Sequence, residues 1–313
     1  IKKLHNSKRF MNDELRDRER TSMRLEEKRE EKESEEFEDL VETVSQDVDL
    51  LQDVGDSIAH LDAMLSLARH AVENRWVRPE VESSRGVSIK GGRHPVVEQN
   101  VEFVPNDTDI NEGRDFLIVT GPNMAGKSTY LRQTALIVLL SQIGSYIPAK
   151  SAQIGIVDGI YTRVGAMDEI SQGRSTFMVE MAELANILHS STDNSLVILD
   201  EVGRGTATYD GISIAQSTIE YLAADRGLQT PLTLFATHYH ELTSMADDYN
   251  NIHNVHVAVK SGDNREDYEF IRKVRDGPAD KSYGIRVADI AGVPDPVIDR
   301  SEELLEELRD VEE

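Results

Sequence analysis

The chain has 313 residues, enough to bury a sizeable core, and the expectation is one large domain with an appendage. It contains no cysteine, which excludes disulfides and thiolate metal sites. No run approaches 18 apolar residues, the N-terminus is charged, and the net charge is −24, so neither a membrane span nor a signal peptide is expected and the chain reads as cytoplasmic.

Residues 1 to about 75 read as helical. Between 13 and 36 the chain is mostly charged, with Leu15, Met23, Leu25 and the stem of Arg24 available to bury. From Phe37 the apolar positions run Leu40, Val41, Val44, Val48, Leu51, Val54, Ile58, Leu61, Leu65 and Ala68. Steps of three and four place these on one stripe of a long helix, close to a heptad seam. Two readings stay open for this segment: a solvated helix face, or a lever connecting a motor to something absent from this chain. Pro79 biases its predecessor away from helix, so Trp76-Val-Arg-Pro79 marks a boundary. The chain opens on Ile1, which suggests a fragment or a processed chain.

Val87-Ser-Ile89 and residues 92–98 then read as short strands and turns. The apolar run Phe116-Leu-Ile-Val119 is followed by Gly121-Pro-Asn-Met-Ala-Gly-Lys-Ser-Thr129 and a helix-like run over 130–140. Strand, glycine-rich loop and helix, in that order, suit phosphate binding. Gly121 and Gly126 let backbone N–H groups approach phosphate, and the helix N-terminus favours its negative charge. Lys127 can reach β- and γ-phosphates, and the Ser128 hydroxyl can ligate Mg²⁺. Further strands are expected at 160–164, 196–199, 232–237 and 255–259, and helices at 176–189, 212–224 and 240–247. Alternating strands and helices predict a mixed, largely parallel sheet covered by helices. A turn at 292–294 between helices at 283–291 and 297–308 closes the chain.

The run Leu196-Val-Ile-Leu199 ends in the adjacent acids Asp200 and Glu201. Asp200 suits the magnesium shell, reached through water, and Glu201 can orient and deprotonate an attacking water. His238 follows the apolar run at 232–237. With His240 and Glu241 it also allows a metal cluster, though the adjacent spacing lacks a second partner motif. Nothing matches the guanine-reading Asn-Lys-x-Asp pattern, which favours ATP over GTP.

Five segments together resemble the MutS family of DNA mismatch repair ATPases. They are Gly121 to Gln133, Gly173-Arg-Ser-Thr-Phe-Met-Val-Glu-Met181, Asp200-Glu-Val-Gly-Arg-Gly-Thr-Ala-Thr-Tyr-Asp-Gly211, Thr237-His-Tyr-His-Glu-Leu242 and Lys281-Ser-Tyr-Gly284. The resemblance implies an α/β fold of the ABC-type P-loop NTPase class. It assigns 1–75 to a helical core and lever segment, 76–280 to the ATPase domain, and 281–313 to a helix-turn-helix used in dimerisation. It implies ATP and Mg²⁺ bound by Gly121, Pro122, Asn123, Met124, Ala125, Gly126, Lys127, Ser128 and Thr129, with Ser128 and Asp200 on the metal. Glu201 becomes the general base, and His238 a switch that senses γ-phosphate.

By the same resemblance Ser175 caps the γ-phosphate held by a partner subunit, with Asn123 near that junction. Ser175 also suits a plain helix N-cap. Phe103-Val104 resembles the adenine-contacting segment, although Phe103 equally suits a core, and Arg272 aligns where some members place a histidine against the base. The implied partners are a second copy of the chain, a MutL-type protein and, in a complete protein, mismatched double-stranded DNA. Ala125 stands where many members have glycine, and Ala207 where serine is common. The mismatch-reading domain and the DNA clamp are missing from the match, no Phe-x-Glu wedge occurs, and no basic stripe with interleaved aromatics appears. Mismatch selectivity of these residues alone is therefore expected to be weak.

Two other classes fit parts of the pattern. A metabolic P-loop kinase leaves Glu201, Ser175 and the C-terminal helices unexplained. An SMC-type head on a coiled coil fits the seam from Phe37 to Ala68, but Leu-Ser-Gly-Gly-Gln is absent.

The acids are spread along the chain, and 23 arginines face 11 lysines. Such a surface either keeps a protein hydrated in a salt-rich cytoplasm or repels nucleic acid. The first reading is favoured; high salt would screen the repulsion within a few ångströms, about 3 Å at 1 M, so the net charge does not exclude DNA binding. Folding should then fail in dilute buffer and recover in molar KCl, followed by circular dichroism. Full stability at low salt would refute the halophilic reading.

Overall fold

The computed structural model describes residues 3–4, 7–8, 12–122, 125–165, 176–224, 230–260, 269–279 and 284–312. The chain divides into two compact units, Ile1–Ser66 and Leu67–Glu313.

The first unit holds a short antiparallel pair, β1 (Lys3–Leu4) and β2 (Ser7–Lys8), then α1 (Asp13–Gln46) and most of α2 (Val48–Glu73). The Asn12 side chain accepts the Leu15 N–H at 2.8 Å and caps α1, with Asp13 and Glu14 suitably placed on the positive end of its dipole. The chain turns at Asp47 and re-enters helix at once. No residue of α1 is buried, and the apolar seam is exposed from Leu40 to Leu65. The two small strands were not expected from sequence; the long helical segment was.

The second unit begins at Leu67, within α2, and just beyond that helix Arg75 takes a left-handed φ of 53°. In chain order it contains β3 (Glu80–Glu82), β4 (Val87–Gly92), β5 (Asn106–Ile110), β6 (Phe116–Thr120), α3 (Lys127–Gln142), β7 (Ser151–Gly155) and β8 (Ile160–Arg163). Then come α4 (Thr176–Ser190), β9 (Leu196–Asp200), α5 (Thr208–Ala223), β10 (Leu232–Ala236), α6 (Met245–Asp248), β11 (Ile252–Lys260), β12 (Glu269–Asp276), α7 (Gly284–Ile290) and α8 (Asp295–Glu312). The helix expected over 240–247 is a 3₁₀ turn, His240–Ser244, running into the short α6.

Six strands form the main sheet in the order β12-β11-β6-β10-β9-β8, parallel except for the outer β12. Both of its faces are covered, which is why β6, β9 and β10 read as unbroken apolar runs rather than alternating ones. Leu117 and Val119 point into one core with Leu131 and Ile137 of α3. Phe116 and Ile118 point into the other, with Leu184 and Ile187 of α4 and Ile219 and Leu222 of α5.

A second, four-stranded sheet in the order β3-β7-β4-β5 shares the α3 core through Val87, Ile89, Ile110 and Ile154. Its pairing is mainly antiparallel. The single parallel sheet expected from sequence is thus one of two sheets.

A largely buried ion pair joins them. Arg85, between β3 and β4, contacts Asp115, just ahead of β6, at 2.5 Å, and donates to the Thr230 carbonyl ahead of β10. Removing one member of such a pair strands the other charge away from water. Arg85→Ala should cost about 3 kcal/mol, read from urea melts, whereas a change below about 0.5 kcal/mol would mean that the pair carries no net stability.

Candidate functional site

The parallel registers set Val119, Ala236 and Asp200 side by side on β6, β10 and β9. All three strands therefore end at one edge, and the loops that follow them converge there. In doubly wound sheets that edge is where ligands bind.

Behind β6, Gly121 adopts a φ of 127° and lies so near β11 that a Cβ would stand 3.2 Å from the Val257 carbonyl oxygen. Gly126 has a φ of 104° and leads directly into α3. Both positions suit glycine because L side chains disfavour positive φ. The Ala125 N–H bonds the Pro122 carbonyl at 3.0 Å, closing the loop. Asn123 and Met124 lie outside the described residues.

The first residue of α3, Lys127, is 1% exposed, and its ammonium donates to the Gly121 carbonyl at 2.5 Å. Burial pulls its pKa below the ordinary value, and the carboxylates of Glu201 and Asp200 pull it back. Asp200 ends β9 and is buried, which pushes its pKa up, while a hydrogen bond from the Ser128 hydroxyl counters that shift. Its Oδ1 has no hydrogen-bond partner. A hydroxyl beside a carboxylate with a spare oxygen is a donor set that suits Mg²⁺.

Glu201 sits one residue further, at a left-handed φ of 53° that costs about 1–2 kcal/mol for a residue with a Cβ. The surroundings hold it there. Its N–H bonds the Ala236 carbonyl at 2.9 Å, and its carboxylate lies 3.8 Å from Lys127 and 2.6 Å from Arg204. His238, beyond β10, packs its ring 4.0 Å from that of Tyr239. Lost hydration outweighs the pull of Glu201 and keeps the His238 pKa low. Among the described residues, no group of three or more His, Asp or Glu side chains could hold a metal, so the alternative cluster of His238, His240 and Glu241 does not form.

Beside the loop lies a cavity of about 250 Å³. Phe103, Val104 and Arg272 line it together with Ala125, Gly126 and Thr129. The site residues at 103–104 and 272 are therefore brought to the loop at 121–129. Sequence reasoning missed how these walls are held. The pairing of β11 with β12 shifts register after Ala258, and Arg272 bulges there with a φ of 55°. The buried Asn106 side chain donates to the carbonyls of Val104 and Arg272, at 3.2 and 2.9 Å, and accepts the Val274 N–H at 2.8 Å. Arg204 was missed as well, although it stands three residues after Glu201. Ser175, with the rest of 166–175 and of 280–283, lies outside the described residues.

Comparison with known proteins gives one consistent result. The family described as MutS domain V matches residues 117–309. DNA mismatch repair protein MutS 1 of Haloarcula marismortui is 60% identical, the alignment covering 99% of this chain and 34% of that protein. MutS 1 of Halobacterium salinarum is 56% identical over 99% of this chain and 35% of its own length. DNA mismatch repair protein MutS of Clostridium perfringens is 50% identical over 97% and 34%. The chain thus spans about a third of the length of these relatives.

The cavity wall at Val97 and Val101 depends on a neutral histidine. Nδ1 of His94 accepts the N–H groups of Val96 and Val97 at 3.3 Å each, and burial, aided by the charge of Arg132, lowers its pKa. A depressed folded-state pKa gives stability that is complete above the ordinary value of 6.5 and is lost as the pH falls through the lower folded value. His94→Ala should therefore cost about 1 kcal/mol at pH 7.5, and its deficit against the wild type should shrink toward pH 5. Urea melts across that range check the sign; a deficit that grows on acidification would contradict it.

Proposed function

The chain belongs to the MutS family, and from that membership we propose that it is the ATP-binding and ATP-hydrolysing motor region of a DNA mismatch repair protein, with an ABC-type P-loop fold. The observation that carries the proposal is the convergence of Lys127, Asp200 and Glu201 at one sheet edge, beside a cavity contiguous with the glycine loop. The cavity takes the adenine, with Phe103 and the Arg272 plane beside it and the Val104 backbone at its edge. The loop from Gly121 to Thr129 takes the phosphates, and Lys127 neutralises their outer charge.

Ser128 and Asp200 would hold Mg²⁺, which when bound would offset the negative charge of the phosphates. Glu201 accepts a proton from the attacking water. A bond forms between the water oxygen and the γ-phosphorus, the bond to the β–γ bridging oxygen breaks, and ADP and inorganic phosphate leave. His238, neutral at pH 7, offers a hydrogen bond toward the γ-phosphate. The low pKa of His238 and its closeness to Glu201 support that placement.

The resemblance in the segment around Ser175 supports a composite site, in which the serine of a second copy closes on the γ-phosphate. The helices α7 and α8, joined by a turn in which Gly292 has a φ of 86°, are the proposed dimerisation helix-turn-helix. Nucleotide state would then reach mismatched DNA and a MutL-type partner through parts of the protein beyond these residues. The net charge of −24 supports a salt-adapted cytoplasmic protein. No helix among the described residues is long and apolar enough to cross a membrane.

Turnover against protein concentration tests the reading. In molar KCl with Mg-ATP, specific activity per chain should rise with concentration, and activity independent of concentration would refute composite sites. Glu201→Gln should lower kcat by about a hundredfold or more while ATP still binds. Wild-type turnover in that variant would remove Glu201 as the base. Ser175→Ala should likewise suppress turnover and spare binding.

A further inference from the structure

Glu180, in the second turn of α4, is a buried carboxylate that the reaction described above does not use. Its Oε1 accepts the Gly203 N–H at 2.8 Å, a buried bond, while Oε2 lies 3.6 Å from Nη2 of Arg163. Arg163 is itself buried at the end of β8, opposite Leu199 in register, and its Nε lies 3.0 Å from Glu183. One oxygen of Glu180 is thus committed to the sheet edge, and the other to a backbone N–H two residues after Glu201.

Gly203 is held from three sides. Besides the Glu180 bond, its carbonyl accepts the Tyr239 hydroxyl at 3.2 Å. Its Cα packs against Gly211 so closely that a Cβ would stand 2.5 Å from the Gly211 carbonyl oxygen. Gly203 has a φ of 86°, and between it and the left-handed Glu201 stands only Val202, which is sunk in the α5 core. The turn that aims the Glu201 carboxylate therefore has its far end fixed by α4, Tyr239 and α5 rather than by its own chain neighbours, with Glu180 the side chain that holds its N–H.

We infer that Glu180 is a positioning residue for the general base, tying the Glu201 loop to helix α4 and strand β8 through the Gly203 N–H. The inference rests on Glu201 being the base, as proposed above. It makes a specific demand on side-chain length. A carboxamide of the same reach can still accept the N–H, whereas a carboxylate one methylene shorter draws away from it. Misplacement of a reacting group by about 1 Å costs up to a hundredfold in rate.

Steady-state hydrolysis of Mg-ATP by the 313-residue chain, with Glu180→Gln and Glu180→Asp side by side, tests this. The Gln variant should keep kcat within about threefold of wild type and the Asp variant should lose tenfold or more, both with KM within twofold. An Asp variant as active as wild type overturns the inference. So does a loss carried by KM, an equal loss in both variants, or an Asp variant that melts below the assay temperature, which would make Glu180 a stability residue. A wild-type chain that does not hydrolyse ATP, or a Glu201→Gln variant at full rate, would instead strike the underlying reading.

Discussion

A lysine ammonium with 1% of its surface exposed is the constraint on which this site is built. An isolated buried charge loses its hydration without return, and its pKa falls until it neutralises. At Lys127 burial lowers the pKa, and two carboxylates and a carbonyl that come to it oppose that fall. None of these is near it in sequence except Gly121. The parallel order β6-β10-β9 delivers Asp200 and Glu201 to the lysine, and it requires the crossover helices α4 and α5 to cover the opposite face. Sheet topology and local electrostatics are thus two descriptions of one requirement.

The strain at Glu201 follows from the same requirement. A strand that continued extended would carry Glu201 past the lysine. The left-handed turn brings its carboxylate back to between Lys127 and Arg204, and the Ala236 carbonyl and the packing around Gly203 hold the turn in place. Strained backbone persists where surrounding structure over-determines it, and here the over-determination comes from neighbours on β10, α4 and α5.

What the sequence revealed and concealed divides along physical lines. Strands buried on both faces write themselves as apolar runs, so β6, β9 and β10 were legible to within a residue or two, as was α4, whereas α3 begins three residues before the expected run. Of the second sheet only β4 was legible, through Val87-Ser-Ile89. β5 reads Asn106-Asp-Thr-Asp-Ile110, with no apolar alternation, since Asn106 and Thr108 are buried polar residues satisfied by tertiary partners. β12 is mostly charged and bulged, and it owes its place to pairing with β11. The residues that hold the site, Asn106 and Glu180, escaped for the same reason: a polar side chain announces burial only once its partner is known. The long apolar seam was read correctly as helical, yet α1 buries none of its residues and the seam stays exposed.

The close approach of Gly121 to Val257 has a consequence beyond the loop itself. The strand that presses on this glycine is β11, and the partner of β11 is β12, whose bulge supplies Arg272 to the cavity wall. The two halves of the site are therefore adjacent parts of one mechanical assembly. A molecule long enough to occupy both finds its second attachment point already fixed when the first is made. Its halves then bind at an effective concentration set by the scaffold rather than by free diffusion. Under the proposed reading, adenosine and triphosphate offered as separate fragments would forfeit that advantage, and their summed affinities would fall short of the joined molecule's.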